Sequence, residues 1–246
     1  MRRFFIDENA INDNRALVTG NLFCHMSRAL RLKIGTMVVL CDGKGRRHKG
    51  EIETVARDHL IVGIRETTQE PEAAVGPMVT LYQGLPKGSK MEFILQKCTE
   101  LGVNSIAPFV SQRSVVRLPK DRENERMERW RRIVMEAARQ SGRTTIPALS
   151  PVADFSDLVD DADQAVKLLL WEEERSNRLR SVLHSFPLPE SVALLVGPEG
   201  GLSEREAETA ADAGFIPVTL GDRILRTETA GMAILAVLQF YWGDMG

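Results

Sequence analysis

A chain of 246 residues, 43% hydrophobic and 27% charged, is long enough for one large domain or two smaller ones with a real core. No apolar run approaches the roughly 20 residues that span a bilayer, and MRRFFIDENAI at the start lacks the apolar centre of a secretory signal. A cytoplasmic chain with no membrane segment is expected.

The formal charge of −2 conceals two basic stretches. Residues 1–70 hold 12 Lys and Arg against 9 Asp and Glu, and residues 113–143 hold 10 against 5. Such stretches suit either a polyanion on one face or a solvated surface of mixed charge. Cys24, Cys41 and Cys98 are odd in number and stand apart from any CxxC or Cys/His ligand spacing, so reduced thiols and no metal are expected.

The first 70 residues alternate short β-like runs with turns: 2–6, 36–40, 48–55 and 59–64. Between them 21–32 has helical spacing, with Leu22, Met26, Ala29 and Leu30 on one face. A small β-rich barrel with one helix is the reading. The stretch 71–77, with two prolines and no period, is the expected linker, leaving 78–246 as the second domain.

From residue 79 the pattern becomes strand–helix–strand. A strand over 79–85 leads to Ser89 and Glu92, spaced as a capping box, and to a helix ended by Gly102. A strand at 103–110 and a long arginine-rich helix at about 123–141 follow, the helix carrying an apolar stripe of Met127, Trp130, Val134, Ala137 and Ala138. Further strands are read at 166–171, 192–196 and 216–220, with helices from Leu179 and from the Ser203/Glu206 capping box. The last helix, about 229–242, is apolar nearly all round, so it must be covered by its own domain and by a partner subunit. Alternating strands and helices imply an α/β domain with a mainly parallel sheet.

Two glycine-bearing turns follow strands directly and precede helices: Gly197-Pro198-Glu199-Gly200-Gly201, and LGDRILRTETA at Leu220–Ala230. In α/β proteins ligands sit beyond the carboxyl ends of the strands. Neither turn is a GK[ST] phosphate loop or G-x-G-x-x-G, so a flat base or ribose suits them better than a pyrophosphate; alone, either also fits a structural turn. Thr227 or Thr229 is expected to cap the last helix, with Glu228 favoured by its dipole. Arg226, a cation at the positive end of a helix, instead implies an anion nearby. His25, His48, His59 and His184 have no triad-like company.

These residues resemble a known family. LVGPEGGLSEREAE with LGDRILRTETA is similar to the signature of SPOUT-class RNA methyltransferases, and more narrowly of the RsmE family of 16S ribosomal RNA (uracil-N3)-methyltransferases. HMSRALRLKIGTMVVLCDGKG, KGSKMEFILQKCTELGVNSIAPFVSQRS and the stretch from Arg129 to Arg143 extend the resemblance over nearly the whole chain.

The resemblance implies a PUA-like β-barrel for RNA, followed by a SPOUT-type α/β domain with a C-terminal trefoil knot, acting as a homodimer on 16S ribosomal RNA of the small subunit. S-adenosylmethionine is the implied cofactor. By position it would meet Leu169, Leu170, Trp171 and Glu172, then Gly197, Pro198, Glu199, Gly200 and Gly201. The third loop would add Leu220, Gly221, Ile224, Leu225, Arg226 and Thr227, with Ala230 behind them. Methylation of a uracil imide nitrogen requires loss of its proton. Arg226 and Glu228 are the catalytic candidates, Glu228 as base, with Arg113 a second candidate for holding the anion. Arg28, Arg31, Lys33, Arg46, Arg47, Lys49, Arg113, Arg129, Arg131 and Arg132 are the candidate phosphate contacts. Two other classes stand beside this reading. A non-catalytic RNA-binding module would not need both glycine turns, and an NAD enzyme would need the missing G-x-G-x-x-G.

Overall fold

A computed structural model describes residues 1–69, 76–114 and 120–246, without the side chains of 120–122. Most of the expected linker therefore lies outside the described residues. The described chain forms two compact units, one from residues up to 73 with 138–146, the other from 74–137 with 147–246.

The first unit contains β1 (Arg2–Phe5), β2 (Ile11–Asn12), β3 (Arg15–Thr19), β4 (Met37–Cys41), β5 (Arg46–Val55) and β6 (His59–Gln69). They form one sheet in the order β1-β4-β5-β6-β3-β2, antiparallel except for β1 beside β4. The β2–β3 hairpin is absent from the sequence reading. Its two-residue loop, Asp13-Asn14, has positive φ at both positions (47° and 58°), as the tightest hairpins require, and Asp and Asn tolerate that conformation. Ala16 and Val18 of β3 then face a core with Phe4, Phe23, Met26, Leu40, Ile52 and Leu60.

The expected helix at 21–32 is shorter and irregular. An α-helical turn, α1 (Gly20–Phe23), runs into a π-helical stretch at Cys24–Ala29, stopped by Arg31 in the left-handed region (φ 51°). Residues 143–146 return to this unit: Thr145 bridges Gly43 and Lys44, and Ile146 N–H donates to Gly43 O.

The second unit holds β7 (Met78–Gly84), α2 (Lys90–Glu100), β8 (Ser105–Val110), most of α3 (Lys120–Ser141), β9 (Ala148–Leu149), β10 (Ala153–Asp154), α4 (Phe155–Asp160) and β11 (Val166–Leu170). α5 (Leu179–His184), β12 (Ser191–Val196), α6 (Glu204–Asp212), β13 (Ile216–Val218) and α7 (Thr227–Tyr241) complete it. The strands run β10-β8-β7-β12-β11-β13, all parallel, with β9 beside β8. Both faces are buried. Tyr82, Phe109, Leu169 and Leu195 point into a cluster with α4 and α6, while α2 and α7 pack together and α7 also lies on β12. Apolar strand runs follow from this double burial.

The caps divide. Ser203 and Glu206 form the reciprocal capping box, but Ser89 makes no side-chain cap: its backbone (φ −91°, ψ 4°) is not the extended one of an N-cap, and the Glu92 carboxylate pairs with Arg129 at 2.8 Å. Neither Thr227 nor Thr229 caps α7 either; Arg226 occupies the N-cap position, and the Thr227 hydroxyl is engaged elsewhere.

Ile234 of α7 is wholly buried, so Ile234→Ala should lower stability by about 2–5 kcal/mol. Leu17→Ser on exposed β3 should change it by less than about 0.5 kcal/mol. Urea denaturation of the two variants reads the contrast.

Candidate functional site

At the carboxyl ends of β11, β12 and β13 a cavity of about 440 Å³ opens within the second unit. Its size and position are those of a small-molecule site in a parallel sheet. Three loops enclose it: Leu170 to Glu172 after β11, Val196 to Gly201 after β12, and Val218 to Thr227 after β13.

The loops meet through backbone, and the sequence permits it at two places. Gly84, the last residue of β7, lies so close to the loop after β12 that a Cβ there would stand 2.6 Å from Pro198 N and Cδ. A Cβ on Gly197 would meet Gly201 C at 3.2 Å and Leu202 N at 3.3 Å. Only glycine allows the approach at Gly84, and at Gly197 a side chain would press on the loop's own backbone. The neighbouring Gln83 is fully buried; its amide donates to Thr227 Oγ1 at 2.9 Å, and Thr227 in turn donates to Gly197 O at 2.6 Å. This chain of bonds ties β7, the first turn of α7 and the glycine turn together. Gln83 was not a sequence candidate, since a lone glutamine in a strand gives no signal until its partner is known.

Of the expected cofactor residues, Leu170, Trp171, Glu172, Gly197, Pro198, Glu199, Gly201, Leu220, Gly221, Ile224, Leu225, Arg226, Thr227 and Ala230 line the cavity. Leu169 does not: strand alternation turns it into the core beside α4 and α6, fully buried. Nor does Gly200, which faces away toward the backbone of Arg113 and accepts a bond from its guanidinium at 3.3 Å. Lys90, Arg175 and Arg223 line the cavity as well, and the sequence reading had not placed them there.

Lys90 carries the main electrostatic feature. Its ammonium lies 2.9 Å from Glu199 Oε1 and 3.3 Å from Glu228 Oε2. The Glu199 bond raises the Lys90 pKa above its ordinary value; partial burial opposes this and Glu228 adds to it. For Glu199, burial favours the protonated form. Lys90 and backbone N–H groups, including that of Lys87, outweigh burial and hold the carboxyl below the usual range. Glu228 is not among the cavity-lining residues. Its Oε2 is enclosed, has no hydrogen bond of good geometry, and faces Lys90 as an ion pair.

The candidate phosphate contacts differ in their freedom. Arg46 is paired with Glu8, Lys49 with Glu66 and Arg129 with Glu92. Arg47 is half-buried. Arg28, Arg31 and Lys33 in the first unit, and Arg131 and Arg132 in the second, are exposed and form no ion pair with a described residue. Among the described residues no three or more His, Cys, Asp or Glu gather as metal ligands, and no helix is long and apolar enough to cross a membrane.

Residues 74–239 match the RNA methyltransferase domain family, and residues 18–65 match the RNA methyltransferase PUA domain family. Ribosomal RNA small subunit methyltransferase E of Bacillus subtilis is 33% identical over 98% of this chain and 96% of its own. The protein of the same name from Synechocystis is 36% identical over 93% and 74%. A crystal structure of ribosomal RNA small subunit methyltransferase E from Neisseria gonorrhoeae, bound to S-adenosyl methionine, superposes with a TM-score of 0.88 at 34% identity, covering 100% of both chains. A parallel α/β domain joined to a separate PUA-like domain is what these matches share, and the chain belongs to the RNA methyltransferase family that includes ribosomal RNA small subunit methyltransferase E.

Proposed function

We propose that the protein transfers a methyl group from S-adenosylmethionine to N3 of a uridine in 16S ribosomal RNA of the small subunit, as a cytoplasmic homodimer whose C-terminal loops form a trefoil knot. The observation that carries this reading is the cavity at the ends of β11, β12 and β13, glycine-lined where backbones converge and charged at its rim.

The cavity suits the cofactor chemically. Leu170, Val196, Val218 and Leu225 offer apolar surface to a flat base, and the converging loops bring backbone groups to its edge. Glu172, Arg175, Arg223 and Arg226 supply opposite charges for an amino-acid end. When bound, S-adenosylmethionine supplies an electrophilic methyl group. The loops must then hold a base-paired edge free of its partner, since uracil N3 lies on that edge. Positioning of the two reactants can supply on the order of 7–11 kcal/mol of the barrier in favourable cases. Arg226, exposed at the N-cap of α7, is placed to hold an anionic group of the RNA. Glu228 stands one step behind, against Lys90.

The direct test is incubation with methyl-labelled S-adenosylmethionine and small ribosomal subunits or free 16S RNA, followed by mass spectrometry of the nucleosides. The expected product is N3-methyluridine, with saturable calorimetric binding of S-adenosylmethionine and none of NAD. Label on ribose or on another base would reject the proposed target atom.

Arg28, Arg31 and Lys33, which form no ion pair with a described residue, should carry part of the RNA affinity. The Arg28→Ala, Arg31→Ala and Lys33→Ala triple variant should flatten the plot of log affinity against log salt by roughly 2 units, about 0.7 per lost single-strand contact. An unchanged slope would make them a solvated surface.

On α7, Val237, Phe240 and Tyr241 are 40%, 66% and 39% exposed within a single chain. A second copy is proposed to cover them, since such a patch on a monomer is unusual. Sedimentation should find a dimer for the wild type and a monomer for Phe240→Glu.

A further inference from the structure

We propose that Lys90 is a catalytic residue: its ammonium holds a carbonyl oxygen of the target uracil as negative charge develops on the ring, while Glu199 and Glu228 orient it. The inference rests on the methyl-transfer reading above and names the group that makes the weak imide nucleophile competent.

Three observations converge. Lys90 lines the cavity, whereas Glu228 does not, so of this pair the cation is the member that a ligand meets. An ammonium has three N–H donors, and two carboxylates, Glu199 and Glu228, are its ion partners among the described residues. At least one donor is left for a ligand. Lys90 also begins α2, a helix whose Met91, Ile94, Leu95 and Cys98 are buried, so the ammonium stands on a packed element. A donor held in place before charge develops needs little reorganisation when the charge appears.

The chemistry needs such a donor. Methylation breaks the N3–H bond and releases its proton to solvent. The electron pair of N3 forms a bond to the methyl carbon as the carbon–sulfur bond breaks, leaving a neutral thioether. Once the proton has gone, the charge of the ring is shared between N3 and the two carbonyl oxygens. A cation on one of those oxygens favours the anion without having to receive the proton. Glu199 is poorly suited to take it, since Lys90 and backbone N–H groups hold its carboxyl below the usual range. The other charges that line the cavity are Arg226 at the start of α7, and Glu172, Arg175 and Arg223. Glu199 raises the Lys90 pKa above its ordinary value, which favours the cation.

The test is the pH profile of single-turnover methyl transfer in wild type, Lys90→Met, Lys90→Arg and Arg226→Gln. In wild type the rate should rise with pH and level off where the bound imide is ionised. An opposite charge within hydrogen-bond reach typically favours ionisation by ~1–3 pH units. Lys90→Met should therefore level off at least about 1 pH unit higher. Its rate should be roughly 10-fold or more lower at neutral pH and recover towards the wild-type value in alkali. Lys90→Arg should keep the wild-type levelling point. Saturable S-adenosylmethionine binding by Lys90→Met, at whatever affinity, verifies that the cavity is folded. A Lys90→Met profile lowered equally at every pH, or a levelling point moved by Arg226→Gln alone, would overturn the assignment while leaving methyl transfer intact. An inactive wild type at every pH would instead overturn the methyl-transfer reading, and the role of Lys90 with it.

Discussion

The approach of Gly84 to Pro198 is the constraint from which the second unit's site follows. A parallel sheet ends with its strands side by side, and side chains ordinarily hold the following loops apart. Here the last residue of β7 has no Cβ, so the loop after β12 can fold over the strand end. Once it does, Gly197 O comes within 2.6 Å of the Thr227 hydroxyl, and Gln83 completes the chain by donating to Thr227. Each bond is modest, on the order of 1 kcal/mol. Their burial makes them specific, because a loop conformation that broke one would leave a polar atom unpaired away from water. The cavity is therefore held open by backbone geometry, and α7 starts where that geometry puts it.

This dependence explains which parts were legible in the amino-acid sequence. The alternation of strands and helices in the second unit, the stripe of α3 and the Ser203–Glu206 cap are local patterns, and local patterns are visible in one dimension. The two glycine turns are equally plain, the first because backbone crowds Gly197 and the second because Gly221 has a φ of 117°, which residues with a side chain rarely adopt. What escaped was set by partners far away in the chain. Ser89 and Glu92 have the spacing of a capping box, but the carboxylate pairs with Arg129. Thr227 has the look of a cap and serves a bond 30 residues distant. Leu169 adjoins the site in sequence and faces the core in space, because successive strand residues point to opposite faces.

In the first unit the same contrast appears on a smaller scale. The hairpin at Asp13-Asn14 is a local signal, since both residues accept positive φ, yet one of its strands, β2, has only two residues and shows no alternation to read. The return of residues 143–146 to Gly43 is different in kind. Nothing in those residues names the turn about 100 positions earlier, so composition gives no sign of this contact. A contact of that separation is specified by the folded surface it meets.

The cluster of Lys90, Glu199 and Glu228 cannot be understood as a device for stability. Its members are partly exposed, Lys90 by 34% and Glu199 by 27%, and ion pairs in such settings contribute at most about 1 kcal/mol. Bringing two carboxylates to one ammonium also concentrates like charges, which an apolar contact between α2 and the loop after β12 would avoid. The arrangement makes sense where a fixed charge must face a cavity. Two carboxylates on different elements restrain the ammonium from two sides, and the surplus negative charge beside it keeps it protonated when a ligand draws near. A uracil losing its imide proton is such a ligand, because its carbonyl oxygen can take an N–H of the ammonium directly.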